Sequence, residues 1–144
     1  MTISIRIAQP SEFPELTERY VAWGYHAALA PADIVLVAER AGTCIGLVRQ
    51  TFEHDVFMLR GMFVDPSEQR RGVGSLLLRA FTQHLAGAEC YCIPFAHLPG
   101  FYARGGFAPV TAASVPSALA ERLDHYRLEG HDVILMRRPP DVAL

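Results

Sequence analysis

The stretch Met62–Leu78, MFVDPSEQRRGVGSLLL, decides the fold of this chain. It predicts the end of an apolar strand, a turn at Asp65-Pro66, a loop from Gln69 to Gly74 and a leucine-rich helix. The first N–H groups of a helix have no acceptor inside the helix itself. A strand, a glycine loop and a helix start in this order therefore gather several N–H groups at one point, and such a point binds anions.

Two glycines and two arginines give the loop its expected chemistry. Gly72 and Gly74 have no Cβ, so the backbone can turn sharply and a ligand can approach the main chain. Arg70 and Arg71 add charged donors that suit phosphate oxygens. The positive end of the helix dipole contributes about 0.3–1 kcal/mol per nearby negative charge. The loop is predicted to bind a phosphate or pyrophosphate; the alternative is a tight turn with solvated arginines.

Two other phosphate motifs are excluded by the residues that follow Gly74. A Walker loop needs Lys and then Ser or Thr after its last glycine, whereas Ser75-Leu76 stands there. The dinucleotide fingerprint needs a third glycine at the position that Leu77 occupies.

Two blocks of the sequence, QRRGVG from Gln69 to Gly74 and FYARGGF from Phe101 to Phe107, resemble segments of the GNAT superfamily of acyl-CoA-dependent N-acyltransferases. The loop from Gln69 to Gly74, QRRGVG, matches the family signature Q/R-x-x-G-x-G/A. The segment from Phe101 to Phe107, FYARGGF, resembles the family's F-Y-x-x-x-G-F segment, and it lies about thirty residues downstream as the family has it. The resemblance implies an α/β fold of the α+β type. Its mixed, mostly antiparallel sheet of six or seven strands is expected to splay between the fourth and fifth strands and to be flanked by helices.

The resemblance also implies acetyl-CoA as a cosubstrate, with its pyrophosphate on the loop and its pantetheine arm along the strand end. Gly61 inside that strand predicts a bulge at which the strands open, the alternative being a simple edge irregularity. The residues expected to bind the cofactor are Met62, Phe63, Val64, Gln69, Arg70, Arg71, Gly72, Val73, Gly74 and Ser75.

Direct transfer of an acetyl group to a primary amine requires a proton donor, a place for the oxyanion and a base. Tyr102 matches the family tyrosine that protonates the leaving thiolate, the alternative being a packing role. A backbone N–H at Phe63 is the expected oxyanion donor. The strand Val56–Val64 lacks the carboxylate that many relatives use as the base, although His54 and Asp55 lie at its entrance. His97 is the candidate base because histidine has the right intrinsic pKa range, the alternative being a structural role. A second difference from the family pattern is Phe95, because many relatives carry an asparagine seven residues before the tyrosine.

Length, net charge and composition restrict the kinds of domain and partner that this chain is expected to have. A length of 144 residues predicts one GNAT-type domain over residues 1–144, and a net charge of −2 gives no basis for a nucleic-acid or membrane partner. The N-terminus lacks a signal-peptide pattern and the chain lacks a membrane-spanning apolar run, so a cytoplasmic location is predicted. The three cysteines and six scattered histidines indicate neither a disulfide set nor a metal site.

The acceptor is expected to be a small-molecule or peptide amine, and homodimers are common in the family although this sequence carries no signal for one. The main alternative function is a non-catalytic acyl-CoA-binding or partner-binding module of the same fold, favoured by the missing carboxylate. A second alternative is an unrelated domain whose glycine loop binds another phosphate ligand.

Periodicity predicts the elements around the central stretch. The chain begins with a strand over Ile3–Ile7, and a helix follows from about Glu12 to Trp23 with Ser11 as N-cap. A closing strand is expected over Val133 to Met136, followed by a frayed tail. The aromatic face of the first helix is expected to pack in the core; the alternative is that three residues line a substrate pocket: Trp23, Tyr25 and His26.

Overall fold

The computed structural model describes residues 2–141, which contain seven strands and four α-helices. In chain order these are β1 (Ile3–Ile7), α1 (Phe13–Ala22), β2 (Ile34–Arg40), β3 (Thr43–Glu53), β4 (Val56–Val64), α2 (Val73–Leu85), β5 (Cys90–Cys92), α3 (Pro99–Ala103), β6 (Ala108–Pro109), α4 (Ser117–Leu128) and β7 (Met136–Arg138). No helix within these residues is both long enough and apolar enough to span a membrane.

The strands form one mixed sheet in the order β1-β2-β3-β4-β5-β7-β6. β1 and β2 pair antiparallel, as do β2 and β3, while β7 pairs antiparallel with both β5 and β6. β4 and β5 are parallel, and their pairing ends at Met58–Tyr91, as the predicted splay requires. The predicted fold class, a mixed and mostly antiparallel sheet flanked by helices, is confirmed.

The chain packs into two compact units, called here the first and second unit. The first unit contains the chain up to Thr51 together with Leu59–His84. Alternate residues of β2 and β3 point to one face of a sheet, where they meet residues of α1 at three- and four-residue spacing. This core contains Phe13, Leu16, Tyr20, Val35, Val37 and Leu47.

The other face of β3 carries α2 of the first unit. At Gly46 an added Cβ would lie 2.9 Å from Leu77 Cδ1 and 3.0 Å from Val73 Cγ1. Glycine is therefore needed at this position because the start of α2 lies directly on the strand.

The second unit contains Phe52–Met58 and the chain from Leu85 onward. Its core joins β4 and β5 residues to α4 and to the segment before β7, with Met58, Tyr91, Leu119, Leu123, Val133 and Leu135 buried together.

Ser11 is not the N-cap of α1, so that prediction is wrong. Ser11 lies inside a short 3-10 helix, Pro10–Glu12, that precedes α1. The Glu12 carboxylate accepts the Gln9 N–H at 2.7 Å and pairs with Arg6 at 2.6 Å. The Glu12 carboxylate thus caps the 3-10 helix through Gln9, while Glu12 itself is the N-cap residue of α1 and makes no side-chain capping bond to that helix.

The predicted closing strand over Val133 to Met136 is also wrong, because β7 begins only at Met136. Val133 is buried in the core of the second unit and forms an isolated bridge with Phe95. β7 continues to Arg138, and Arg137 donates to Glu89, the residue before β5. The prediction of a frayed tail is wrong up to Asp141, because the Asp141 N–H donates to Gly87 O at 2.9 Å. The last three residues of the predicted tail lie outside the described residues.

Candidate functional site

β4 departs from strand geometry at Gly61, as the sequence predicts. Gly61 has φ +62°, and an added Cβ would lie 2.8 Å from Tyr20 Oη and 3.1 Å from Tyr25 Cε2. The Tyr20 hydroxyl donates to Gly61 O at 2.8 Å. The irregularity is therefore held by a specific contact with α1 and is not a loose strand edge.

Four rings of the first unit form an aromatic cluster beside Gly61. Tyr20 lies 4.8 Å from Tyr25, 6.1 Å from Phe63 and 6.4 Å from Trp23 between ring centroids, each in an edge-on arrangement. Tyr20 is fully buried, and this burial raises the pKa of its phenol, so Tyr20 stays a protonated donor. Trp23 and Tyr25 pack against the core of the first unit, as expected, whereas His26 is exposed.

Asp65 fixes the turn between β4 and the loop. Its Oδ1 accepts the Ser67 N–H at 3.0 Å and the Ser67 hydroxyl at 2.6 Å, and its Oδ2 accepts the Trp23 indole N–H at 3.1 Å. The Ser67 hydrogen bonds, together with that of Trp23, lower the pKa of the Asp65 carboxyl. Asp65 N–H also donates to Ile45 O at 2.8 Å, which ties the turn to β3.

Two further contacts hold the loop from inside. Glu68 is only 7% exposed and accepts Arg40 Nε at 2.7 Å, with Arg71 Nη1 at 3.6 Å. Gln69 Nε2 donates to Val64 O at 3.3 Å and so ties the loop back to the end of β4. Sequence reasoning missed Glu68 and Arg40, since 28 positions separate the two and no local pattern joins them.

The loop ends at Gly72, whose φ of +82° suits glycine, with open space where a Cβ would stand. α2 begins at Val73, and Leu76 N–H donates to Gly72 O at 3.1 Å as an early bond of this helix. The N–H groups of Val73, Gly74 and Ser75 come before that bond and have no acceptor inside the helix. Arg70 and Arg71 are exposed beside them. This is the arrangement the sequence predicts for a bound anion.

All ten predicted cofactor-binding residues thus lie on one continuous segment of the first unit, Gly61 to Ser75 with its flanking contacts. Met62, Phe63 and Val64 are half-buried at the strand end.

Tyr102 lies in α3 of the second unit. It is 7% exposed and packs edge-on against Phe101 and Phe107, at centroid distances of 4.9 and 6.3 Å. Burial, with a smaller contribution from Cys92, raises the pKa of the Tyr102 phenol. The phenol therefore holds its proton at neutral pH, as a proton donor must.

His97 precedes α3 and is exposed. Its ring stacks on Phe95 with a centroid distance of 6.0 Å and an interplanar angle of 16°. Phe95 is itself 52% exposed. The structure thus leaves the candidate base open to solvent, where it can exchange protons with water.

A buried charged group in the first unit was not predicted. Arg49 in β3 is 5% exposed, and its Nη1 donates to Asp33 Oδ2 at 3.0 Å. Arg49 Nε and Nη2 both donate to Tyr25 Oη, at 3.2 and 2.7 Å. The sequence did contain a signal for this group: an arginine within an apolar strand, because a buried charge needs partners.

Within residues 2–141, no group of three or more His, Cys, Asp and Glu side chains is arranged to hold a metal ion. Within the same residues, Cys44, Cys90 and Cys92 form no disulfide.

A family model described as "Acetyltransferase (GNAT) domain" matches residues 31–109, which is more than half of the chain. Among curated proteins, none matches the sequence.

Solved structures with the same fold include two acetyltransferases of known specificity. N-acetylglutamate synthase from Neisseria gonorrhoeae, complexed with coenzyme A and N-acetyl-glutamate, has a TM-score of 0.72 and 18% identity, over 99% of this chain and 36% of that one. This chain therefore spans about a third of that protein's length. The ribosomal-protein-S18-alanine N-acetyltransferase from Escherichia coli has a TM-score of 0.69 and 18% identity, over 99% of this chain and 97% of that one.

A third similar structure, of Rv2747 from Mycobacterium tuberculosis, is a complex with CoA and NLQ. Its TM-score is 0.65 at 18% identity, over 96% of this chain and 99% of that one. At these identities the likeness is one of fold.

Proposed function

Because the chain belongs to the GNAT acetyltransferase family, we propose that it transfers an acetyl group from acetyl-CoA to a primary amine by direct attack in a ternary complex. The observation that carries the proposal is the segment Gly61 to Ser75. Its strand irregularity, its turn and its loop are each held by contacts within the first unit. Similar structures that contain CoA support an acyl-CoA ligand.

The pyrophosphate of acetyl-CoA is proposed to bind the N–H groups at the start of α2, from Gly72 to Ser75. These groups have no acceptor inside the helix, and the helix dipole favours negative charge at that end. Arg70 and Arg71 are exposed on the same loop and supply positive charge. The pantetheine arm is proposed to bond to the main chain near Met62 and Phe63, with Gln69 keeping the loop against the strand end.

The chemical step is proposed to need three groups of this chain. The amine nitrogen attacks the thioester carbonyl, the C–N bond forms, and the C–S bond breaks as CoA leaves. The Phe63 N–H is proposed to stabilise the oxyanion, and Tyr102 to give its proton to the leaving sulfur, since a phenol is protonated at neutral pH. The proton lost by the amine is proposed to pass to His97, which is exposed to water, and a proton from water restores Tyr102 after CoA leaves.

A second candidate function is a non-catalytic acyl-CoA-binding or partner-binding module. The observation in its favour is β4 itself, VFMLRGMFV, which carries no carboxylate. Such a module would bind acetyl-CoA without releasing CoA.

The acceptor is proposed to be a small-molecule or peptide amine. The similar structures include one bound to N-acetyl-glutamate and one enzyme that acts on an alanine of ribosomal protein S18. The cytoplasmic location and the single domain over residues 1–144 stay predictions of the sequence. The expectations of no metal, no nucleic-acid partner and no membrane partner also stay predictions, and so does a homodimer.

The test is amine-dependent release of CoA from acetyl-CoA, followed with a thiol reagent across amino acids, peptides, polyamines and simple amines. Acetylation of at least one amine class, verified by the mass of the product, is expected. Binding of acetyl-CoA with no release above the rate in buffer would favour the non-catalytic module instead.

A further inference from the structure

Arg49 forms a closed, charge-balanced group in the interior of the first unit. Its ion pair with Asp33 joins two buried side chains, and Asp33 Oδ2 also accepts the Ala30 N–H at 3.0 Å. Because its charge is already balanced, Arg49 does not itself serve as a receptor for an anionic ligand. What it does is hold the Tyr25 hydroxyl through two of its N–H groups.

This contact fixes the direction of the Tyr25 hydroxyl hydrogen. The phenol oxygen accepts hydrogen bonds from both Arg49 Nε and Arg49 Nη2, so its accepting positions are filled. Its own O–H must therefore point away from Arg49. Among the described residues, Arg49 is the hydrogen-bond partner of this hydroxyl. A hydroxyl that accepts from a cation is also a stronger donor, because hydrogen bonds in a chain polarise one another.

Tyr25 stands beside the part of β4 to which the thioester is assigned. Its ring lies 5.1 Å from that of Phe63 between centroids, and its Cε2 is 3.1 Å from the Cβ position at Gly61. Tyr25 is half-buried. A single oriented O–H donor is therefore present next to Gly61 and Phe63.

We propose that Tyr25 selects amine acceptors that carry an oxygen acceptor, a carbonyl or a carboxylate, beside the reacting amine. The inference rests on the proposed function and names the substrate class of that site. α-Amino acids, their amides and peptide N-termini have such an oxygen, whereas simple alkylamines do not. Tyr25 contacts the acceptor, while Arg49 and Asp33 are positioning residues that act through Tyr25.

The test compares the wild type with Tyr25→Phe on matched sets of acceptors. Each set holds an amino acid, its amide and the amine that lacks the carbonyl group, for example L-phenylalanine, L-phenylalaninamide and 2-phenylethylamine. The readout is the ratio of wild-type to variant kcat/KM for each acceptor, because this ratio cancels differences in amine basicity. Tyr126→Phe, which removes a hydroxyl from the second unit, is the control. Because Tyr25→Phe leaves two Arg49 N–H groups without their acceptor, its melting temperature is expected to fall, and folding is verified by circular dichroism at the assay temperature.

Tyr25→Phe is expected to lower kcat/KM about 10–100-fold for the acceptors with an oxygen and less than about threefold for those without one. A loss on the amide alone or on the acid alone identifies which oxygen Tyr25 contacts. Equal losses on all acceptors, or no loss on any, would overturn the inference and leave the proposed transferase standing. A wild type that acetylates only amines without the oxygen would overturn it too. A wild type that neither binds acetyl-CoA nor acetylates any amine would overturn both.

Discussion

The segment from Gly61 to Ser75 in the first unit and the segment from Phe95 to Phe107 in the second are held in different ways. The first is bonded to its surroundings at each step, by Tyr20 at the strand, Trp23 at the turn and Arg40 at the loop. In the second, burial of Tyr102 contrasts with the exposure of Phe95 and His97.

This difference matches the chemistry assigned to each segment. Binding a large, charged cofactor benefits from main-chain donors that are already in place before the ligand arrives. Donating one proton needs a group that is protonated at neutral pH, as the Tyr102 phenol is. The first segment is thus expected to control binding, and the second is expected to control the rate of the chemical step.

Tyr102→Phe tests the second segment and should give the largest effect. Loss of the proton donor is expected to lower kcat by about 10²–10⁴-fold with little change in acetyl-CoA affinity. The measurement is steady-state CoA release together with calorimetric binding. Tyr126→Phe in the same unit is the control for loss of a hydroxyl; an unchanged kcat in Tyr102→Phe would remove Tyr102 from the mechanism.

Gly61→Ala tests the first segment. A Cβ there meets Tyr20 Oη at 2.8 Å on a backbone with φ +62°, and we expect a loss of about 2–3 kcal/mol in the free energy of unfolding. Gly24→Ala is the matched control, because Gly24 has φ +87° with open space around it, and about 1 kcal/mol is expected there. Urea denaturation measures both. Equal losses would mean that the contact with Tyr20 adds nothing.

His97→Ala tests whether the exposed part of the second segment takes part in catalysis. If His97 accepts the amine proton, kcat/KM should fall about tenfold, since water replaces an exposed base only in part, and the dependence of kcat/KM on pH should change. His131→Ala, an exposed histidine elsewhere in the same unit, is the control. A pH–rate profile that does not change in His97→Ala rules His97 out.

Asp65→Asn is expected to give the smallest effect and is read from pH dependence. The Ser67 and Trp23 hydrogen bonds lower the pKa of Asp65 in the folded protein, so the unfolded chain takes up the proton first as the pH falls. The stabilisation is therefore full above the unfolded pKa of about 3.9 and is lost as the pH falls through the folded value. Unfolding free energies measured between about pH 2 and pH 6 should fall more steeply in the wild type than in the variant. Parallel curves would contradict this.

The sequence predicted the parts of the site that depend on neighbouring residues. Gly61, Gly72 and the start of α2 follow from backbone requirements that single residues reveal. β4 was predicted with the bounds that it has, because its apolar run ends in a clear turn.

The contacts that hold these parts together were not predictable, because each joins residues far apart in the chain. Trp23 and Asp65 are 42 positions apart, and the Arg49–Tyr25 contact joins a strand to the loop after α1. The prediction of the last strand was wrong for the same reason. The sequence predicts Arg137 as part of a polar tail, because its partner Glu89, just before β5, is far away in the chain.

The central claim, that the segment from Gly61 to Ser75 binds acetyl-CoA, is tested most directly by calorimetric titration of acetyl-CoA into the wild type, Gly74→Glu and Gln83→Glu. Both variants add one negative charge to α2, the first at its start and the second at an exposed position near its end. We expect micromolar binding by the wild type and Gln83→Glu, and none by Gly74→Glu, whose carboxylate repels the pyrophosphate. No binding by the wild type, or equal binding by Gly74→Glu, would contradict the account.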